Sequence, residues 1–93
     1  MSRPSDSTLV RRCATGDRSA FVELVRRYER LLGSVIRHSA SDIHDAEDVL
    51  QETLVQAWAG IPNLKDPRRF RPWLVRIVRH RCLHFLKSAW RRD

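Results

Sequence analysis

Residues 38–64 of this 93-residue chain contain no lysine and no arginine, although the whole chain has a formal net charge of +7. Eight arginines and four acidic residues lie in 1–37, and ten basic and two acidic residues lie in 65–93. A uniformly basic chain would indicate only a polyanionic partner. An acidic segment between two basic ones suggests two partners, one anionic and one cationic. The acidic residues of the middle segment are Asp42, Asp45, Glu47, Asp48 and Glu52.

Other absences exclude whole classes of protein. No apolar run approaches the roughly 18 residues of a membrane span, and the N-terminus has no apolar signal core, so we expect a cytoplasmic protein. Three glycines provide no phosphate-binding loop, and no coherent Ser/His/Asp arrangement is present, so an enzyme is the weakest interpretation and no cofactor is expected. The only two cysteines, Cys13 and Cys82, fit isolated reduced thiols.

The sequence predicts an all-α fold, a compact bundle of about four helices, because it has helical periodicity and no strand pattern. Asp6 or Ser7 is expected to cap a short first helix, and Asp17 begins the second, whose apolar residues recur at threes and fours. Ser41 or Asp42 is expected to cap the third helix, which has Ile43 on its apolar side. Gly60 and Pro62 end that helix, residues 61–66 form a loop, and Asp66-Pro67 starts a fourth helix that extends to about Trp90.

The fourth helix has two distinct faces on a helical wheel. Its apolar side contains Leu74, Ile77, Val78, Cys82, Phe85 and Ala89. No acidic residue lies between Asp66 and Asp93, so ion pairs within the helix cannot neutralise its cations. This pattern is suited to phosphates and unstacked bases, although a solvated basic face is the plain alternative. The opposite side contains Arg76, Arg79, His80, His84, Lys87 and Arg91, with Trp73 and Trp90 at its borders.

The positions of His80, Cys82 and His84 on the helical wheel argue against a metal site. The sequence His80-x-Cys82-x-His84 places two potential ligands one turn apart, but Cys82 falls on the apolar side, away from both histidines. We therefore expect no metal ligands in this segment.

The third helix carries a patch of polar side chains at spacings of three and four, opposite its apolar stripe. Solvent exposure alone would explain such a face. These acids nevertheless repel nucleic acid, and no basic residue lies near them in the sequence, so a basic protein surface is the natural partner. The patch consists of Asp45, Asp48, Gln51 and Glu52.

At residues 45–52 the chain reads Asp-Ala-Glu-Asp-Val-Leu-Gln-Glu, which resembles the D-A-E-D-x-x-Q-E signature of region 2 in sigma-70-type transcription initiation factors. Gly16-Asp17-x-x-Ala20-Phe21, Arg27-Tyr28 and Phe70-x-x-Trp73-Leu74-x-x-Ile77 resemble motifs of the extracytoplasmic-function (ECF) group. The resemblance extends over residues 8–90. It implies that 1–93 is a sigma region 2 domain. Factors of this group also need a region 4 domain for the −35 element, and we expect no region 4 domain within these 93 residues. Within the region 2 domain, 8–40 would be regions 1.2/2.1, 42–60 region 2.2 and 61–93 regions 2.3/2.4.

The resemblance also implies partners. In this family the acidic helix docks on the clamp helices of the β′ subunit of core RNA polymerase, which would assign Asp48, Gln51 and Glu52, together with Asp45, to polymerase binding. The following loop and helix recognise the promoter −10 element and hold its non-template strand. The resemblance makes an anti-sigma factor a further candidate partner. The residues expected to bind DNA are Asn63, Leu64, Lys65, Arg68, Arg69, Arg71, Trp73, Arg76, Arg79, His80, His84, Lys87 and Arg91.

The chain departs from the family pattern at the residues expected to read bases. His80 stands where an asparagine is common, His84 where an aspartate is common, and Leu64 where an aromatic residue is frequent. These differences leave two alternatives open. One is a generic basic helical nucleic-acid-binding domain, and the other is a module that binds polymerase or an anti-sigma factor without promoter reading.

Overall fold

Four α-helices form the fold, in a computed structural model that describes residues 3–92 and the side chains of residues 3–89. Two short 3-10 turns, Ile61–Asn63 and Pro67–Arg69, make up most of the connection between the last two helices. No strand occurs within residues 3–92, and the predicted all-α fold is confirmed. The helices are α1 (Asp6–Ala14), α2 (Arg18–Arg37), α3 (Ile43–Gly60) and α4 (Phe70–Arg92).

Two predicted helix starts are confirmed by capping hydrogen bonds. The Asp17 side chain accepts from the Ala20 amide and begins α2, and the Asp42 side chain accepts from the amides of His44 and Asp45 at the start of α3. Each carboxylate satisfies amide groups that the first turn of a helix leaves without a partner.

The predicted cap of α1 is wrong. Ser5, and neither Asp6 nor Ser7, accepts the capping hydrogen bond, from the Thr8 amide at 3.1 Å. Asp6 is the first residue of the helix, and its carboxylate turns to α2, where it accepts hydrogen bonds from Arg27 and from the Tyr28 hydroxyl. Asp6 therefore forms hydrogen bonds with residues of α2 and does not cap α1.

The start of α4 differs from the prediction by three residues. Asp66 does act as a cap, because its carboxylate accepts from the Arg68 amide at 3.0 Å. The residues that follow form the 3-10 turn Pro67–Arg69, and the α-helix begins only at Phe70. The predicted loop 61–66 likewise contains a 3-10 turn at its start.

Buried side chains of all four helices form the core. The predicted stripe of α4 is confirmed at Leu74, Val78 and Cys82, which are buried. Ile43, expected on the apolar side of α3, is instead 68% exposed, because it occupies the first turn, at the edge of the contact with α2. None of the helices in the described part of the chain is long and apolar enough to cross a lipid bilayer.

The cap of α2 predicts a pH dependence of stability. Hydrogen bonds from Ser19, from the Ala20 amide and from Arg12 lower the pKa of Asp17 from its ordinary 3.8 to about 2. A carboxylate with a depressed folded-state pKa stabilises the fold above its unfolded-state pKa, and this contribution is lost as the pH falls through the folded-state value. We expect wild type to exceed Asp17→Asn in free energy of unfolding near pH 6, and the difference to vanish towards pH 2. Urea titrations across this range measure it, and a constant difference would contradict the prediction.

Candidate functional site

The exposed side of α3 carries the predicted patch, here called the acidic surface (Asp45, Asp48, Gln51 and Glu52). Asp48, Gln51 and Glu52 are exposed and Asp45 is half-buried. Among the described side chains, neither Asp45 nor Asp48 forms an ion pair, so both carboxylates are available to a cationic partner.

Glu52 has an intramolecular partner that the sequence analysis missed. Nη1 of Arg81, on α4, lies 3.7 Å from Oε2 of Glu52. The Arg81 side chain is only 24% exposed, and its Nε is buried without a hydrogen-bond partner in the described part of the chain. The sequence does contain a signal, because Arg81 falls within the apolar stripe of α4, where a charged group requires a partner. The contact joins the acidic surface to the helix that carries the cations.

A second missed residue lies beside the acidic surface. Val55 follows Asp48 by seven residues, on the same side of α3, and is 64% exposed. An exposed apolar side chain among carboxylates offers a partner a small dehydrated contact beside the charged ones. The sequence could have indicated Val55, because it is an apolar residue at a position where the helical pattern predicts a polar one.

The opposite charge lies on α4, whose outward side we call the basic face (Arg76, Arg79, His80, His84 and Lys87). All five side chains are exposed, as the wheel predicted. Arg76, Arg79 and His80 line a shallow cavity of about 470 Å³ together with Arg71, Pro72 and Val75. The cavity combines cationic groups with an apolar floor, a lining that fits a phosphate with its attached sugar or base.

The connecting segment (residues 61–69) precedes the basic face and carries five more of the predicted residues. Asn63, Lys65, Arg68 and Arg69 are exposed, whereas Leu64 is half-buried and packs against the core. Asp66 holds two of the arginines, with Nε of Arg68 at 3.1 Å and Nε of Arg69 at 4.0 Å from its carboxylate oxygens. The hydrogen bond from the Arg68 side chain is the main cause that lowers the pKa of Asp66.

Trp73 occupies a different environment from the other predicted DNA-binding residues. Its ring is half-buried, lies 5.8 Å from the Phe70 ring between centroids, and packs against Gly60. A methyl group at Gly60 would come within 2.9 Å of Cζ2 of Trp73, so the close contact requires glycine. Trp73 is therefore partly engaged in packing, unlike the exposed cations of the site. The side chain of the predicted Arg91 lies outside those that the structure describes.

Comparison with known proteins gives a family match over most of the chain. The family model described as Sigma-70 region 2 matches residues 24–92. The sequence is 40% identical over 78 residues to RNA polymerase sigma factor NccH of Alcaligenes xylosoxydans xylosoxydans, covering 83% of this chain and 42% of that protein. It is 35% identical over 85 residues to ECF RNA polymerase sigma factor SigM of Mycobacterium tuberculosis, covering 91% of this chain and 43% of that protein. The chain thus spans less than half the length of these relatives.

A solved structure matches the fold over its whole length. It is an NMR structure of an engineered region 2 of sigmaE in complex with GTAAAA. The TM-score is 0.89 at 32% sequence identity, and the alignment covers 99% of this chain and 97% of that one.

Proposed function

The chain belongs to the sigma-70 region 2 family, as a domain of the ECF type, and from this premise we propose that it binds core RNA polymerase and the promoter −10 element. The observation that carries the proposal is the separation of charge onto two helices, carboxylates on α3 and cations on α4. Such a domain can hold a basic protein surface and a nucleic-acid strand at the same time. In the family's terms, 8–40 would serve as regions 1.2/2.1, 42–60 as region 2.2 and 61–93 as regions 2.3/2.4.

The acidic surface is the proposed polymerase contact, on the β′ clamp helices. Asp48 and Gln51 are exposed on adjacent turns, and Asp48 is unpaired among the described side chains, so it can take a cationic group without breaking an existing ion pair. Glu52 must exchange Arg81 for the polymerase cation. Val55 supplies the apolar part of the contact.

The connecting segment and the basic face are the proposed site for the non-template strand of the −10 element. The solved neighbour of similar fold carries a six-nucleotide strand, GTAAAA, and this chain would hold a comparable strand along α4. The cations attract phosphates without regard to sequence, whereas His80 and Asn63 can donate and accept hydrogen bonds at base edges. Because His80 and His84 replace the residues common in the family, we expect a −10 preference of its own.

Selection from a pool of single-stranded oligonucleotides with six randomised positions tests the proposal. The domain is bound to core bacterial RNA polymerase, and bound strands are sequenced. We expect enrichment of a defined hexamer, bound more tightly than the same sequence in a duplex. Failure to bind polymerase, or binding to all strands alike, would contradict the proposal.

Asp66 predicts a variant that binds DNA better than wild type. Asp66→Asn keeps the capping oxygen, because asparagine caps as well as aspartate does, but removes the charge that holds Arg68 and Arg69. Exposed ion pairs are weak, so we expect about a two- to threefold gain in affinity for single-stranded DNA, by fluorescence anisotropy. Asp17→Asn is the matched control, since it makes the same charge change at a cap paired with Arg12. An equal gain in both variants would attribute the effect to net charge alone.

A further inference from the structure

Asp6 fastens α1 to α2 through both of its carboxylate oxygens. Oδ1 accepts from Nη1 of Arg27 at 3.0 Å, and Oδ2 accepts from the hydroxyl of Tyr28. Arg27 also reaches Glu23, with Nε and Oε1 3.5 Å apart. Burial is the largest cause that raises the pKa of Tyr28 from 10.0 to about 12, and the hydrogen bond to Asp6 is the second. The hydroxyl is therefore protonated, and can donate, at neutral pH. None of these residues lies on the acidic surface or the basic face.

The ring of Tyr28 continues this contact to the start of α4. Tyr28 is only 9% exposed, and its ring lies 5.6 Å from that of Phe70, the first residue of α4. Phe70 in turn packs against Trp73, whose ring covers Gly60 at the end of α3. The series of contacts therefore reaches both residues that flank the connecting segment, Gly60 before it and Phe70 after it.

The connecting segment has few backbone hydrogen bonds of its own, although buried Ile61 and half-buried Leu64 anchor its first part in the core. Its described backbone hydrogen bonds outside the helices are Leu64 N–H to Ile61 O at 3.0 Å and Arg69 N–H to Asp66 O at 2.9 Å. In addition, α1 packs directly against both 3-10 turns of the segment. A segment with so few internal hydrogen bonds takes its position from the elements beside it.

We propose that Asp6, Arg27 and Tyr28 are positioning residues that set the geometry of the connecting segment for the promoter strand without touching DNA. This inference rests on the proposed function of that segment. A preorganised binding loop avoids the entropy cost of ordering when the ligand binds. Breaking the contacts among Asp6, Arg27 and Tyr28, here called the Asp6 cluster, should therefore weaken DNA binding more than polymerase binding.

Two variants test the cluster. Tyr28→Phe removes only the hydroxyl, and Asp6→Ala removes the acceptor. We expect Tyr28→Phe to weaken binding of a labelled single-stranded GTAAAA oligonucleotide about fivefold, the effect of one lost hydrogen bond, and Asp6→Ala, which loses two, to weaken it further. Both variants should leave polymerase capture unchanged. The double variant should be no weaker than Asp6→Ala, because both changes break the same contact. Arg12→Gln is the control, since it breaks an exposed ion pair between α1 and Asp17 that includes none of these three residues.

Amide hydrogen exchange separates a local effect from general loss of stability. In both variants we expect faster exchange at Leu64 and Arg69, with the core amides of Leu24 and Val78 unchanged. Faster exchange everywhere, or an unchanged affinity in variants whose connecting segment has loosened, would overturn the positioning role. If wild type itself binds neither the oligonucleotide nor the selected hexamer, the proposed function fails instead. Unchanged exchange at Leu64 and Arg69 in the two variants would show that Asp6 and Tyr28 do not support the connecting segment, whether or not the wild type binds DNA.

Discussion

Asp48→Arg is expected to weaken capture of core bacterial RNA polymerase about 30-fold, and Asp48→Arg combined with Glu52→Arg to abolish it. Reversing a charge at a docking surface replaces an attraction by a repulsion, and the loss of one close charge pair alone costs about 2 kcal/mol or more. Asp48 is the cleaner site because it is exposed and has no described ion-pair partner. Pull-down at several salt concentrations measures the effect.

Glu52→Arg also changes an ion pair within the fold. The new guanidinium group would stand beside Arg81, which loses its only described ion pair. Circular dichroism of the double variant must therefore show the helix content of wild type before its loss of capture is attributed to docking. Glu52→Gln, which keeps the shape of the side chain, separates the loss of a contact from the repulsion of Arg81.

Glu29→Arg provides a charge-matched control for Asp48→Arg. Glu29 is exposed on α2 and has no described ion pair, so its reversal changes the net charge by the same amount on another helix. Capture should be unaffected. Equal capture by Asp48→Arg, Glu29→Arg and wild type would favour the alternative of a generic basic nucleic-acid-binding domain, in which the acidic surface has no partner.

The parts of the fold that depend on neighbours in sequence were predictable. Asp17 and Asp66 were predicted as helix starts, and Asp42 as one of two candidate caps, because a cap and the amides it serves lie within three residues of each other. The buried stripe of α4 followed from periodicity alone. Charge segregation, which requires only a count along the chain, predicted both candidate surfaces.

The remaining features depend on partners that are distant in sequence. Ser5, Asp6 and Ser7 are all plausible caps, and only the position of Tyr28, 22 residues further on, decides that Asp6 turns to α2. The pairing of Arg81 with Glu52 likewise requires the packing of α4 against α3. Ile43 is 68% exposed and lines an open cavity together with Gly33 and Ile36 of α2, an arrangement that periodicity within α3 does not predict. Periodicity predicts the side of a helix on which a residue lies, but it does not predict which residues of other helices meet that residue.

Neutralising three cations of the basic face should produce the largest loss of DNA binding. In the variant Arg76→Gln, Arg79→Gln, Lys87→Gln, each change removes one exposed cation from α4 without touching its buried side. The logarithm of the affinity for single strands falls with the logarithm of salt by about 0.7 per neutralised phosphate. Three lost contacts therefore lower the slope by about 2. If the affinities converge near 1 M salt, binding at 0.1 M is about 100-fold weaker.

A charge-matched control distinguishes contact from attraction at a distance. Arg26→Gln, Arg30→Gln, Arg37→Gln removes the same charge from the exposed side of α2, where none of the three forms a described ion pair. At 0.1 M salt the Debye length is about 10 Å, so cations that do not meet the strand contribute little to its binding. Titrations from 0.05 to 0.4 M salt should thus leave the α2 variant close to wild type in slope and lower the slope only for α4. Equal slopes for the two variants would mean that the strand responds to net charge and that α4 is not its binding face.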